Sequence, residues 1–512
     1  MPIITEQNRR WWVATAMSLV MVLLTLDFFG LAVCLPRIGE DLRASTGTLL
    51  WTMNGYLLAF SSPIIAVGRL ADILGRRKVC LGGIVLFVVG SALCGIARSD
   101  EWLIAARVLQ GIGGGTIFAT ALSIVSNAFP PEQRGMGIGV WSGVGLVGSA
   151  VGPFVAGLLT QLASWRWYFF INVPIGVAAI LLTLAAVKES RDETFAGKID
   201  FTGFATLTTG FVFLTLGLQE SSQYGWGSAL VIGSLIVAAV LVALFVRIEL
   251  RVKDPLVEFG LFRNARYAGA CGVAFLGNWT FGTILFFLTL YFQEIRGLGP
   301  IGAGSIFLLF TVPLVIMSPV GGRLVTPLGT NTLMAAGMTL VSAGVFFFVL
   351  IGPATGWAIV VLGLVVAGLG QGFAYPISQD AGIEAISEQK AGIASGVLSS
   401  ARLMGIVVGL AISGSIFRSL ENSSLLKAAN AAGARLSAAD TAEIKNLLSG
   451  SEGAEHTLSA LARGIADRIE AVTNASFVHG LRGVMILALA VSILGIPFSL
   501  LGRHTARRPA AA

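Results

Sequence analysis

The sequence predicts an all-α polytopic membrane protein of fourteen transmembrane helices, built as two six-helix bundles with a two-helix hairpin inserted between them. Three observations carry this fold class. Only 12% of the residues are charged, about half the share of a soluble domain at roughly 25%. So little charge cannot give 512 residues a polar surface, and the mean hydropathy of +0.84 makes lipid the main solvent. Apolar runs long enough to cross a bilayer recur along the chain, and the first six of them repeat as the last six.

Taken in order, apolar runs of about 18 to 25 residues fall at 11–33, 48–68, 79–97, 102–126, 136–160, 167–187, 200–219, 228–248, 267–291, 301–320, 332–351, 357–377, 391–416 and 483–502. Each must be helical, because hydrocarbon offers the backbone no water to bond with. The first run follows Arg9 and Arg10. It is longer than a signal-peptide core and lacks a small-residue cleavage site, so it reads as a retained span.

Basic residues set the orientation. Arg69, Arg76, Arg77 and Lys78 follow the second span, and Arg134, Lys188, Arg191, Lys198, Arg247, Arg251, Lys253, Arg263 and Arg266 lie in later even-numbered loops. Arg503, Arg507 and Arg508 end the chain, while the short odd-numbered loops are poor in Lys and Arg. Both termini are therefore expected in the cytoplasm, with the protein in a bacterial inner (cytoplasmic) membrane.

Residues 418–480 break the pattern with a long polar stretch of mixed charge. A loop this long escapes the charge rule and is placed outside. Leu458, Leu461, Ile465 and Ile469 suggest amphipathic helices over the outer face, the alternative being a disordered insert. The expected units are an N-terminal bundle over 1–190, the inserted helices over 191–265, C-terminal helices 9–13 over 266–417, an extracytoplasmic helical loop over 418–482, and helix 14 with its tail over 483–512.

The repeat supports this division. Gly68-Arg69-Leu70 through Gly75 recurs 254 residues later as Gly322-Arg323-Leu324 through Gly329, and Gln110-Gly111 recurs 261 residues later as Gln371-Gly372. Parallel six-helix halves related by an axis along the membrane normal place a transport site between them at mid-depth.

Composition narrows the function. The formal charge of +7 lies in short loops, where orientation explains it better than nucleic-acid binding does. Cys34, Cys80, Cys94 and Cys271 sit in or beside apolar runs without paired spacing, and read as packing residues. His456, His479 and His504 lie outside the spans, so neither a metal site nor a cofactor is expected. No His/Asp or Ser/His arrangement on adjacent loops suggests catalysis, so an enzyme is not expected.

The residues with chemistry to offer are few. Asp27 stands within the first span, where a charge costs at least about 2.5–3.5 kcal/mol. It is either a group that takes up and releases protons or an acid snorkelling to the interface. Arg107 in the fourth span needs an acceptor, either a carboxylate whose proton it controls or partners in a static clamp between helices. Its repeat position holds Gly368, so this charge belongs to one half. In the loop after span 2, Gly68 and Gly75 permit a tight turn. Asp72 there, with Arg76, is placed to latch onto the other half; a charge anchor alone explains the basic residues but not Asp72. On span 5, Gly148, Gly152, Pro153 and Gly157 allow close helix approach and a kink. Phe28, Tyr56, Trp279 and Tyr375 are candidate walls of an aromatic cavity, with Asn54, Gln110, Asn278 and Gln293 as its polar contacts, although most such aromatics serve as core or face lipid.

At these residues the chain resembles the Major Facilitator Superfamily, specifically its fourteen-span drug:proton antiporter family, over nearly its whole length. Gly68-Arg69-Leu70-Ala71-Asp72 with Gly75-Arg76-Arg77-Lys78 matches the superfamily's loop 2–3 signature, and Arg107-Val108-Leu109-Gln110-Gly111 its span-4 signature, which the family links to proton coupling. Gly148 through Gly157 matches the antiporter signature of span 5, and Trp165-Arg166-Trp167 with Asn172-Val173-Pro174 the start of span 6. In the first-span motif Asp27 and Pro36 stand, with Phe29 and Ala32 in place of a polar pair, and span 10 carries no second deep carboxylate.

The resemblance implies export of small hydrophobic or amphipathic compounds (drugs, dyes, antiseptics or antibiotics) in exchange for protons, by a monomer working through alternating access. A nutrient symporter or lipid flippase of the same fold is the alternative, and a membrane-embedded enzyme or receptor a more distant one.

Overall fold

In the computed structural model, residues 4–61, 64–130, 133–191, 200–252, 255–353, 355–386, 391–431 and 463–502 are described. They form sixteen α-helices: α1 Arg9–Leu42, α2 Thr46–Ser61, α3 Ile64–Leu74, α4 Arg76–Gly95, α5 Asp100–Ala128, α6 Arg134–Leu162, α7 Trp165–Phe170, α8 Asn172–Ala186, α9 Phe201–Tyr224, α10 Ala229–Glu249, α11 Ala265–Leu290, α12 Pro300–Leu328, α13 Thr330–Val349, α14 Trp357–Glu384, α15 Ala391–Ala431 and α16 Arg463–Leu500. Thirteen helical segments are long and apolar enough to cross a membrane. The fourteenth crossing, expected at 48–68, is shared by α2 and α3. The chain is a multi-pass membrane protein.

Helix starts follow local chemistry. Ser99, Ser164, Asp200, Ser228 and Asn264 each accept a backbone N–H of the first turn of α5, α7, α9, α10 and α11. Helix ends depart from the expected spans, because the helical hydrogen-bond ladder does not stop where the hydrocarbon does. α1 runs through Pro36 to a left-handed cap at Arg43. α11 passes into a π-helical turn, Tyr291–Ile295.

The largest departure is at the 418–480 insert. α15 continues to Ala431 and α16 begins at Arg463, so the ends of the insert prolong two membrane helices and do not lie over the outer face. Phe417 and Phe477 pack edge to face at 5.1 Å, and Ser476 donates to Ser424 at 3.2 Å, joining the two extensions. Ile465 and Ile469 fall on α16, whereas Leu458 and Leu461 lie outside the described residues.

α1–α8 make one half and α11–α16 the other, with α9–α10 between them in sequence. α9 packs on α2 and α15, and α10 leans on α9. α10 turns Ile232, Ile236, Val240 and Leu244 outward, as a lipid-facing helix must.

The repeat survives at the level of contacts. Gly75 and Gly329 occupy matching positions, and both have positive φ, 112° and 79°, which a residue with Cβ rarely adopts. Gly111 packs on the Tyr56 carbonyl of α2, and its counterpart Gly372 on the Leu314 carbonyl of α12; these are the second spans of their respective halves.

The two halves meet unevenly. We call the end reached by the start of α1 and the end of α16 the terminal face, and the opposite end the far face. Among the described residues, hydrogen bonds between halves lie at the centre or the far face. Thr311 donates to the Ala150 carbonyl at 3.0 Å, the Gln293 amide to the Val33 carbonyl at 2.9 Å, and the Ile301 N–H to Gln161 at 3.0 Å. Gly157 and Gly304 bring the backbones of α6 and α12 into contact, each facing a proline carbonyl of the other helix, Pro300 and Pro153.

Candidate functional site

Arg107 and Gln110 are three residues apart on α5, so both side chains leave the same face of the helix. That face meets α1 at Asp27. Arg107 Nη1 donates to Asp27 Oδ2 at 2.6 Å and to Gln110 Oε1 at 2.7 Å, while Gln110 Nε2 donates to Asp27 Oδ1 at 2.9 Å. Both carboxylate oxygens are thereby held. The network continues outward from the triangle. Ser91 of α4 accepts from Gln110 at 3.0 Å and from Asn172 of α8 at 2.9 Å, and donates to the Phe169 carbonyl at 3.1 Å. Arg107 Nε points at the Thr52 carbonyl at 3.4 Å, and its guanidinium lies 3.9 Å from the Tyr56 ring centre. Tyr168 donates to the carbonyls of Leu26 and Asp27 at 2.7 and 2.8 Å.

Burial is nearly complete: Asp27 is 0% exposed, Arg107 1% and Gln110 0%. Bringing two charges into such a place costs several kcal/mol per ion before attraction and hydrogen bonds offset it, at about the level where a hydrophobic pair would do as well. Two apolar residues would therefore have packed here at no greater cost. What they could not do is exchange a proton.

The pair is asymmetric toward the space between the halves. Arg107 lines a narrow slot of about 10 Å³ with Phe28, Met53 and Tyr56 on one side and Phe281 and Ile406 on the other. That is room for about one water molecule. Asp27 sits behind Arg107, away from the slot. Phe28 stacks on Phe281 across the halves at 6.5 Å with planes 8° apart, and Phe281 contacts Phe310 at 5.7 Å. The slot is thus walled by aromatic rings from both halves.

The other expected cavity residues scatter. Asn54 and Trp279 are near the interface helices α2 and α15, and the side-chain nitrogen and oxygen of Asn54 and the indole nitrogen of Trp279 are buried without a partner, as is the Tyr56 hydroxyl. Asn278 spends its amide on the Ala274 carbonyl one turn back, at 2.8 Å. Gln293 lies in the π-helical turn at the far face, where its amide donates to the Val33 carbonyl of α1 across the halves. Tyr375 lies under the guanidinium of Arg402, 3.8 Å from ring centre to carbon.

On span 5, Gly148 and Gly152 face α1 at Thr25 and Phe29, and Gly157 faces α12. At the end of the loop after span 2, backbone N–H groups bond within their own half. Arg76 N–H bonds the Ser190 carbonyl at 3.0 Å and Arg77 N–H bonds Glu189 at 3.0 Å, while Gly68 has open space beside it. Asp72 is on α3, but its side chain, and so its expected latch, falls outside the described residues.

Sequence reasoning missed three contributors. Ser91 and Asn172 carry no charge, and one uncharged polar residue in a span is too common to stand out. Arg402, a guanidinium within span 13, carried the same signal as Arg107.

Residues 17–410 match the family described as Major Facilitator Superfamily. The chain belongs to the Major Facilitator Superfamily. Among curated relatives, it is 32% identical to the tetracenomycin C resistance and export protein of Streptomyces glaucescens, over 81% of this chain and 77% of that one. It is also 32% identical to the multidrug efflux pump LfrA of Mycolicibacterium smegmatis, over 83% of this chain and 84% of that one. The expected kinship with the fourteen-span drug:proton antiporters is borne out. Among solved structures, a bacterial homologue of the human lysosomal transporter Spinster, in an inward-facing and unoccupied conformation, superposes with a TM-score of 0.62 at 15% identity, covering 99% of this chain and 100% of that one. At that identity the likeness concerns the fold alone.

Proposed function

We propose that this superfamily member is a proton-coupled antiporter exporting small hydrophobic or amphipathic compounds by alternating access. The observation that carries the reading is the sealed Asp27–Arg107–Gln110 triangle, placed directly behind the slot between two halves whose hydrogen bonds, among the described residues, lie at the centre and the far face. Relatives named for multidrug efflux and antibiotic export support the substrate class. The basic even-numbered loops place both termini in the cytoplasm. The far face is then the outer face, and the observed arrangement is closed toward the outside. The active unit is taken to be the monomer.

In this reading Asp27 holds its proton in one arrangement of the halves and releases it in the other. While ionised, it holds the Arg107 guanidinium in place at the wall of the slot. Once protonated, it loses the charge that holds the guanidinium, and Arg107 keeps only Gln110 and the Thr52 carbonyl. A proton thus has a different binding energy in the two arrangements, which is the condition for shifting an equilibrium between them. The loop Gly68–Arg76, with Asp72, serves as the inner gate when the outer face opens. Each proton entering down 100 mV supplies about 2.3 kcal/mol, enough for about a 50-fold gradient of an uncharged substrate.

Ethidium efflux tests this reading. Energised cells producing the chain should extrude ethidium faster than cells without it, and a protonophore should stop the difference. Efflux that persists under protonophore would exclude proton coupling.

The far-face closure gives a second expectation. A side chain at Gly157 has nowhere to go but into the Pro300 carbonyl, so Gly157→Leu should hold α6 and α12 apart. Overpacking of this kind costs about 1–3 kcal/mol, and it falls on one arrangement only. Ethidium efflux should drop severalfold in cells holding wild-type amounts of the chain in the membrane. Unchanged efflux would show that the backbones need not touch.

A further inference from the structure

Arg402 lies eight residues inside the candidate membrane crossing Ala394–Ser424, about 12 Å along a helix that rises 1.5 Å per residue, in a hydrocarbon layer about 30 Å thick. A guanidinium at this depth needs a reason, because it is costly there and ordinarily pairs with a carboxylate or faces a water-filled space. Arg107 has its carboxylate. Arg402 has none at ion-pair distance among the described residues. Its Nη2 donates to the Tyr375 carbonyl at 2.9 Å, the guanidinium covers the Tyr375 ring at 3.8 Å, and its Nε is buried without an acceptor. Of five N–H donors, most are left for something else. Asp380 acts on Arg402 through space only, and its own residue is exposed at the terminal side.

The position is reachable. Arg402 and Tyr375 are both partly exposed, and beside them on α14 so are Pro376, Gln379 and Asp380. On α15, Ile406 is one turn from Arg402 and lines the slot beside Arg107. A molecule entering from the terminal face therefore meets Arg402 and Tyr375 before it reaches the slot.

We propose that Arg402 and Tyr375 form a substrate subsite for planar aromatic anions, the guanidinium taking an acidic group and the flat body stacking against the Arg402–Tyr375 pair. This rests on the export reading and sharpens it. A planar guanidinium holds a carboxylate, sulfonate or phenolate through two N–H bonds while stacking on a ring. A cation would meet repulsion at the same place, in keeping with the lack of a deep carboxylate in span 10.

The test uses the purified full chain and two flat probes of opposite charge, anthraquinone-2-sulfonate and ethidium, with dissociation constants read by equilibrium dialysis. In Arg402→Gln, the ratio of the anthraquinone-2-sulfonate constant to the ethidium constant should rise roughly 10- to 100-fold, the usual worth of a hydrogen bond to a charged group. Arg402→Lys keeps the charge but loses the fork, and guards against a Gln variant that fails to fold. In it the same ratio should rise by a smaller factor of at least about threefold. An unchanged ratio in the folded variants would overturn the proposal. So would a wild-type chain that binds ethidium but not the anion, a result that leaves the export reading standing. Absence of efflux for every probe would instead bring down the export reading itself.

Discussion

An Asp27→Asn chain is expected to export no substrate against a gradient. Asparagine keeps the shape and one acceptor of aspartate but can neither carry the charge that holds Arg107 nor exchange a proton. With coupling gone, the roughly 50-fold gradient of an uncharged substrate that one proton per cycle can sustain at 100 mV should collapse to equality across the membrane. Exchange of labelled substrate between two sides at equal concentration should remain, because the slot and its aromatic walls are untouched. That retention separates lost coupling from a lost protein. Dye accumulation in energised everted vesicles and exchange in the same vesicles are the two readings. Uphill accumulation near the wild-type level would remove Asp27 from the mechanism.

Arg107 gives the second large effect, on stability first. In Arg107→Leu the Asp27 carboxylate keeps only Gln110 in a place with no exposure. Breaking a buried pair from one side costs about 3–5 kcal/mol, so the purified variant should unfold at a clearly lower temperature than wild type. The double replacement Asp27→Leu with Arg107→Leu leaves no unpaired charge. Apolar residues in place of a buried pair are commonly neutral or stabilising by about 1–4 kcal/mol, so the double variant should regain most or all of the lost stability. Uphill export should not return with it. Stability and export restored together would mean that the pair is only a clamp.

Much of this was legible in the sequence for one reason. A charge in an apolar run is conspicuous, and Asp27 and Arg107 announce themselves as residues in need of partners. That they partner each other across 80 residues is a property of how α1 and α5 pack, which no local pattern encodes. The repeat was legible because matching turns need matching backbones. Gly75 and Gly329 share a left-handed conformation, and Gly111 and Gly372 touch equivalent carbonyls. The repeat also misled. Aligning Arg107 with Gly368 makes the second half look uncharged in its interior, whereas its guanidinium is on the next helix, at Arg402. Helix ends were the least legible part. Polarity marks where lipid stops, but α15 and α16 continue past that point, and the π-helical turn after α11 moves Gln293 to the far face. Neither extension has a signature in hydropathy.

The central claim is that proton movement and substrate movement are one cycle through Asp27. The most direct measurement is proton movement in reconstituted vesicles loaded with a pH-sensitive dye, started by adding ethidium and compared between wild type and Asp27→Asn. Wild type should carry protons opposite to ethidium, in fixed proportion to it, and the variant should carry none. Ethidium crossing through the wild-type chain with no accompanying proton flux, or an equal flux in the Asp27→Asn chain, would contradict the account.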